Sequence, residues 1–344
     1  MNHFIQLPPD RLQVIYNEAQ AKRGLPAPSL EKDFWVCWTL RELFQLPPWS
    51  GHLTFKGGTS LSKAWKLIER FSEDIDIVID RDFLGFGGAT LSNKQQKKLK
   101  AECSRRIHAE MKPALTERFR QLLPAGSVWS IVAASAAEDP DQQTLLFRYP
   151  SVYPALSEYL RPEVKIEMGA RSQTEPSALA DIQSYVAEVV PGVVADDSFA
   201  IRTVTARRTF WDKVLLLHEE TYRPDPPAGA PVTRKPGLAR HYYDVWRLIE
   251  KGVAQEAIAD PGLFAQVVEH RRDFFGYGWM DYATMRPGSI RLLPLDHQRD
   301  TWRQDYAAMR AEMFYGEPPK FDAILETVDA FAKRFNAPGP ASAA

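Results

Sequence analysis

The stretch FKGGTSLSKAWKLIERFSEDIDIVID, residues 55–80, decides how this chain is read. Leu53 to Phe55 reads as a short strand running into a Gly57-Gly58 turn. Glycines there let backbone N–H groups approach a phosphate closely, and a helix starting at Thr59 or Ser60 adds its free N-terminal donors. Leu61, Ala64, Trp65 and Ile68 recur at helical spacing, which predicts a helix with one buried face. From Asp74 to Asp80 the pattern alternates. Ile75, Ile77 and Ile79 point one way, and Asp74 and Asp76 project together from the other face of a strand. Two carboxylates so placed offer hard oxygen ligands to Mg²⁺, which keeps substrate phosphates among its ligands. Taken singly, a glycine pair is a turn, a Thr-Ser a helix cap and an Asp-x-Asp a solvated strand face. The conjunction in this order points to phosphate and metal chemistry.

The surrounding composition sets bounds. The chain has 344 residues, 44% hydrophobic and 25% charged, enough for a sizeable core and for two or three domains. Its 43 Lys+Arg nearly cancel 44 Asp+Glu, so bulk charge advertises neither a nucleic-acid nor a membrane partner. Cys37 and Cys103 are the only cysteines, too few for a disulfide framework or a Cys-based zinc site. Packed, reduced thiols and a cytoplasmic protein are expected. The N-terminus lacks a targeting pattern and no apolar run is long enough for a membrane helix. No HExxH, GxSxG or Walker loop occurs, so hydrolase and P-loop chemistries lack support.

Outward from the central stretch, residues 1–50 read as two helices. Asp10 is the expected N-cap of the first, Gly24 its end, Ser29 the cap of the second and Pro47-Pro48 its stop. Residues 51–220 form the expected core. It carries a polar helical insertion, 93–122, with nine Lys/Arg against three Glu and a Pro113 that should kink or divide it. Strands are expected at 129–133, 144–149 and 164–168, and a helix at 207–220. Residues 221–344 open on a Pro/Gly-rich loop and continue as a mostly helical domain with a frayed tail.

The central stretch resembles the signature of the polymerase β-like nucleotidyltransferases. Within that superfamily the chain is similar to the AbiEii/AbiGii-type nucleotidyltransferase toxins, which include the MenT toxins. The matching residues are Gly57, Gly58, Thr59 and Ser60, then Arg70, Phe71, Ser72, Asp74 and Asp76. Asp212-Lys213 in RRTFWDKVLLLHE and Arg240 with Asp244 in RHYYDVWRL follow in the family's order. The resemblance implies an α+β fold, a mixed nucleotidyltransferase sheet preceded by N-terminal helices and followed by a helical region. It implies an NTP substrate, Mg²⁺ or Mn²⁺ on Asp74 and Asp76, and nucleotide contacts from Gly57, Gly58, Thr59, Ser60, Lys63, Ser72 and Lys213. Asp244 would organise the site. The implied activity is transfer of a nucleoside monophosphate to the 3′ end of tRNA, blocking translation, by the toxin of a toxin–antitoxin pair with a separate cognate antitoxin and no membrane partner.

Several assignments stay open on the residues themselves. Lys213 sits at the edge of a Phe210, Val214, Leu217 stripe, where it can snorkel or meet a phosphate. Arg240 and Asp244 are spaced as an ordinary helical ion pair. The resemblance also implies a third carboxylate on a later strand; PEVKIEMGA is the candidate, where Glu163, Lys165 and Glu167 share a face, with Glu167 the choice and Glu163 behind it. The basic stretch 93–122 is either an RNA-backbone footprint or a solvated insertion, and Arg223, Arg234 and Lys235 are either substrate contacts or linker. The alternatives to tRNA nucleotidyl transfer are nucleotidylation or phosphorylation of a protein or small molecule, and a non-catalytic nucleotide-binding module.

Overall fold

A computed structural model of the chain describes residues 1–88, 91–153, 161–194, 197–225, 236–314 and 317–338. Contacts divide it into two compact units. The first holds Met1–Lys66 and Phe71–Val204; the second holds Leu67–Arg70 and Thr205–Ala344.

In the first unit α1 (Pro9–Arg23) and α2 (Ala27–Phe44) come first. Both begin earlier than expected. Pro8 and Pro26, not Asp10 and Ser29, hold the N-cap positions, and Pro9 and Pro28 sit in the first turns. Proline costs nothing there, because its missing N–H would have had no helical partner. Gly24 ends α1 in the left-handed conformation, as its sequence position implies. Helix α2 is buried nearly all round. Trp38 packs against Phe119 with ring centroids 4.5 Å apart and Trp35 stacks on Tyr149 at 5.4 Å.

Next come β1 (Leu53–Lys56), α3 (Gly57–Lys63) and β2 (Ile75–Ile79). The helix is shorter than the 61–68 periodicity implies. It starts at Gly57 and stops at Lys63, and Lys66 takes a positive φ of 53°. Leu61 and Ile68 are buried as the pattern requires, but Ile68 gets there from outside the helix.

The insertion is α4 (Asn93–Arg106), a π-helical turn (Ile107–Met111) and α5 (Lys112–Leu122). Ser92 and Gln95 form a capping box at its start. Pro113 divides it without breaking it: the proline falls in the first turn of α5, directly after the π turn that absorbs the register change.

Then follow β3 (Ser130–Ala133), β4 (Thr144–Arg148), β5 (Glu163–Gly169), β6 (Ser177–Ile182), α6 (Tyr185–Val189) and β7 (Phe199–Val204). The seven strands form one mixed sheet in the order β3-β4-β5-β2-β1-β7-β6. Strand β1 is antiparallel to β2 and parallel to β7, and β2 is parallel to β5. An α+β mixed sheet after N-terminal helices is the expected class, and β6 and β7 add two strands to those the sequence pattern marks. Both cysteines are buried, and burial pushes both thiols up, Cys103 to about 12.

The described part of the second unit holds α7 (Ala206–Tyr222), α8 (Arg240–Glu250), α9 (Val253–Ile258), α10 (Pro261–Phe274), α11 (Arg299–Met313) and α12 (Phe321–Asn336), with an isolated Arg70–Phe314 bridge. Its core forms around α7, where Trp211 meets Phe264 at 4.7 Å and Phe210 meets Phe331 at 5.2 Å. No helix among the described residues is long and apolar enough to cross a membrane. Arg234, Lys235 and the last six residues lie outside the described residues.

Candidate active site

The first unit builds one site from a strand–helix junction and a strand face. Lys56 ends β1 in extended backbone and Gly57 turns the chain at φ 81°. The β1–β2 register pairs Lys56 with Asp76, which brings that carboxylate against the turn. A Cβ on Gly57 would lie 2.0 Å from Asp76 Oδ2. Position 57 therefore excludes every side chain twice over, by conformation and by space.

The hydroxyls of the turn are engaged locally. Thr59 Oγ1 donates to the Asp74 carbonyl at 2.6 Å, and Ser60 Oγ donates to the Gly57 carbonyl at 2.8 Å. With its single proton so used, Thr59 Oγ1 accepts from Ser72 Oγ at 2.8 Å. Thr59 and Ser72 thus tie the turn to the segment that carries Asp74, and Ser60 closes the turn on itself. Lys63 goes elsewhere. Its ammonium is 2.7 Å from Asp33 Oδ1 and 3.5 Å from the Tyr185 ring centre, and its side chain is 2% exposed. Burial alone would lower its pKa, but Asp33 holds it above the usual lysine range. The structure thus ties α3 to α2 through this lysine and does not present it to solvent.

The carboxylate face is assembled across strands. Asp76 lies level with Glu167 on β5, and Ile75 with Ile166. The isoleucines fill the core, so Asp76 and Glu167 project together from the other face. Asp74 precedes β2 by one residue. Glu163, the reserve choice, is ion-paired to Arg148 at 3.0 Å. Next along the face, Lys165 pairs with Glu167. Burial works against the Lys165 charge, yet Glu167, then Asp74 and Asp76, hold its pKa above the ordinary value. Behind the face, burial lifts Glu73 to about 7 despite its 2.6 Å ion pair with Lys32.

A hard divalent cation suits this face. Its donors are carboxylate oxygens, and the missing side chain at Gly57 lets the Asp76 carboxylate lie directly against the turn. Among the described residues, no three His, Cys, Asp or Glu side chains already converge as a cage, and Glu167 is taken up by Lys165.

The second unit has its own charged cluster. Asp244 accepts from Arg70 Nε at 2.7 Å and Arg70 Nη2 at 2.8 Å, and its Oδ2 lies 2.8 Å from Lys213 Nζ. Its partners are these two, not Arg240 one turn earlier. Burial would raise the Asp244 pKa, but Arg70 and Lys213 hold it well below the carboxylate range. Burial lowers Lys213 below the ordinary lysine value, with Asp244 opposing and Arg70 adding to the fall. His241 Nδ1 is 3.4 Å from Lys213 Nζ, and burial, then Lys213, keep this ring neutral. One carboxylate thus faces two cations, an excess of positive charge that an anion can balance. In the sequence Arg70 stands only at the head of the Arg-Phe-Ser-x-Asp-x-Asp run, and no local signal there points to Asp244.

Five of the nine basic side chains of the insertion are ion-paired among the described residues, two of them to carboxylates outside it. Arg105 pairs with Glu102 and Glu110, Arg106 with Glu110, Arg118 with Glu42, Arg120 with Glu117 and Lys100 with Asp141. Lys94, Lys97 and Lys98 are exposed on α4. The pairs fit a solvated insertion, and the exposed lysines leave positive charge on α4. Elsewhere, Arg207 lies 3.6 Å from Asp260, Arg208 is buried and Arg223 pairs with Glu220.

The seven-stranded mixed sheet with its many helices is a nucleotidyltransferase-like fold. The family model for the nucleotidyl transferase AbiEii toxin of type IV toxin–antitoxin systems matches residues 38–327, and the chain belongs to that family. It is a toxin nucleotidyltransferase, and membership implies an NTP substrate and a cognate antitoxin. Among solved structures the chain is similar to MenT4, a nucleotidyltransferase toxin from Mycobacterium tuberculosis, at 14% identity and a TM-score of 0.46 over 97% of this chain and 91% of that one. No curated protein matches.

Proposed function

We propose that this toxin transfers a nucleoside monophosphate from an NTP to the 3′ end of tRNA in the cytoplasm, with Mg²⁺ held by Asp74 and Asp76. The observation that carries the metal and nucleotide part is the Asp76 carboxylate packed against Gly57, level with Glu167. The acceptor follows from the family resemblance alone.

In this reading the backbone of Gly57 to Ser60 receives phosphate oxygens, while Thr59, Ser60 and Ser72 keep the turn in shape. Asp74 and Asp76 ligate the ion, and Glu167 is the third carboxylate. Bound there, a divalent cation supplies counter-charge to the reacting phosphate and the departing pyrophosphate. The acceptor hydroxyl oxygen bonds to the α-phosphorus. The bond from that phosphorus to the bridging oxygen breaks, and pyrophosphate leaves with the electron pair. The hydroxyl proton passes to a carboxylate of the face or to water. Lys213 carries positive charge for a nucleotide phosphate, and Asp244 positions Lys213. Lys63 has a structural task instead.

The test is a transfer assay with Mg²⁺, bulk tRNA and each of the four α-³²P-labelled NTPs in turn. Label on tRNA, lost in Asp74→Ala and Asp76→Ala, is the expected result. Label on protein, or transfer only from the γ-phosphate, would overturn the acceptor or the reaction type respectively.

A further inference from the structure

Lys165 is a cation set among the carboxylates that the preceding reading gives to the metal. On β5 it alternates with Glu163 and Glu167, so all three share the face on which Asp76 projects. The β2–β5 register puts Ile75 level with Ile166 and Asp76 level with Glu167. One step back along the same register, Asp74 runs beside Lys165. The ammonium is bonded to Glu167, and Asp74 and Asp76 are close enough to stabilise its charge further. Both partners keep about a third of their side chains exposed, 34% for Lys165 and 38% for Glu167, so neither is locked by packing.

An ordinary same-face pair on a solvated strand would look similar in isolation. Two features separate this one. Its neighbours are the Asp74 and Asp76 carboxylates, and the Glu167 carboxylate it occupies is the one whose release would complete a three-carboxylate set that the described residues do not yet form. A metal ion entering this face meets a positive charge already in place, and like charges at such range oppose each other. A triphosphate arriving with the metal gives the lysine a new anionic partner.

We propose that Lys165 is the resident counter-ion of the carboxylate face and couples metal binding to nucleotide binding. Without nucleotide it holds Glu167 and offsets Asp74 and Asp76, so the metal binds weakly. With nucleotide it turns to the triphosphate and frees Glu167 for the metal. Each ligand thereby favours the other, as linkage requires. Lys165 is a positioning residue here, and its role rests on the metal assignment made above.

The test is Mn²⁺ binding to the full chain, followed by electron paramagnetic resonance and calorimetry, without nucleotide. Lys165→Met is expected to bind Mn²⁺ about tenfold more tightly than the wild type. Lys165→Arg, which keeps the charge, should match the wild type, and adding Glu167→Gln to Lys165→Met should remove the gain. At saturating Mn²⁺, Lys165→Met should bind α,β-methylene analogues of the four NTPs about tenfold more weakly. Circular dichroism confirms that each variant is folded. Mn²⁺ affinity unchanged in Lys165→Met, yet abolished in Asp76→Ala, would overturn the counter-ion role and leave the metal site standing. No Mn²⁺ binding by the wild type or Lys165→Met, with or without the analogues, would overturn the metal site and the counter-ion with it.

Discussion

Arg70 grips Asp244 with two hydrogen bonds, 2.7 and 2.8 Å long, from a position 174 residues earlier in the chain. The pair is almost wholly buried, the side chains being 2% and 0% exposed, and Lys213 shares the same carboxylate. Buried charges persist only when they are paired and hydrogen-bonded, so each of the three depends on the others. Arg70 thereby explains why an arginine stands before the Ser-x-Asp-x-Asp strand: its partner is the aspartate of a much later helix.

Asp244→Ala should therefore fail mainly as a stability mutation. It leaves two cations buried without their anion, a loss of about 3–5 kcal/mol. Urea denaturation of wild type and variant measures it, and a loss under about 1 kcal/mol would show that the cluster is not held by its charges. Because Asp244 has a depressed folded-state pKa, the wild-type contribution is complete at neutral pH. It declines only as pH falls from the ordinary carboxylate range toward that depressed value.

Gly57→Ala separates activity from stability. The new Cβ would be forced within 2.0 Å of Asp76 Oδ2 at a φ of 81°. The strain of a left-handed alanine is about 1–2 kcal/mol, which a chain of this size tolerates. Displacing the carboxylate by an ångström costs about 10²-fold in rate. The expected variant is folded, with transfer reduced by about that factor or more; near-normal transfer would show that Asp76 needs no fixed place beside the turn.

Lys63 yields the opposite split. Its ammonium is committed to Asp33 and Tyr185, so Lys63→Met strands a buried carboxylate and should cost about 3–5 kcal/mol. Combining it with Asp33→Asn, which removes the orphaned charge, should recover much of that loss. The affinity of the folded double variant for NTP should stay within about twofold of wild type, as expected when no shared contact is removed. A drop of tenfold or more, read by calorimetry, would return Lys63 to the nucleotide site.

How much of this was legible in the sequence depends on how far apart the partners lie. The Gly57–Ser60 turn and the Asp74–Asp76 strand face are readable because turn chemistry and strand alternation are local. That Glu167 falls level with Asp76 is set by pairing β2 with β5, strands more than eighty residues apart, and only its alternation could be read. The ties of Arg70 and Lys213 to Asp244 are equally non-local. Strands β6 and β7 were missed because SALADI and FAIRTV offer no clean alternation; β6 is a sheet edge with Leu179 exposed. The 61–68 helix shows the converse: the spacing of Leu61 and Ile68 correctly marks burial, but the helix between them ends at Lys63, whose side chain turns inward to Asp33.

Glu31 makes the stability of the first unit fall as pH rises through the neutral range. Its carboxylate is buried in α2, where it accepts from Ser151 Oγ at 2.5 Å and from the Val152 N–H at 2.8 Å. Burial outweighs both hydrogen bonds and lifts its pKa from 4.5 to about 7. A carboxyl whose folded pKa is raised binds its proton more tightly in the native state than in the unfolded chain. The stability contribution is therefore fully present below the unfolded pKa and is lost as pH climbs toward 7. At about 1.36 kcal/mol per pKa unit, the loss between pH 4.5 and 7.5 is at most about 3 kcal/mol. Glu73, also lifted to about 7, adds to the slope in the same direction. Glu31→Gln keeps the shape and has nothing to titrate; its one carbonyl oxygen can accept from the Val152 N–H, and its amide N–H meets Ser151 Oγ, which then turns to accept. Unfolding free energies from urea titrations at pH 5 and pH 8 should differ less in this variant than in the wild type, by up to that amount. An identical pH slope in the two proteins would mean that Glu31 is ionised in the native state throughout and that its hydrogen bonds, not its burial, set its pKa.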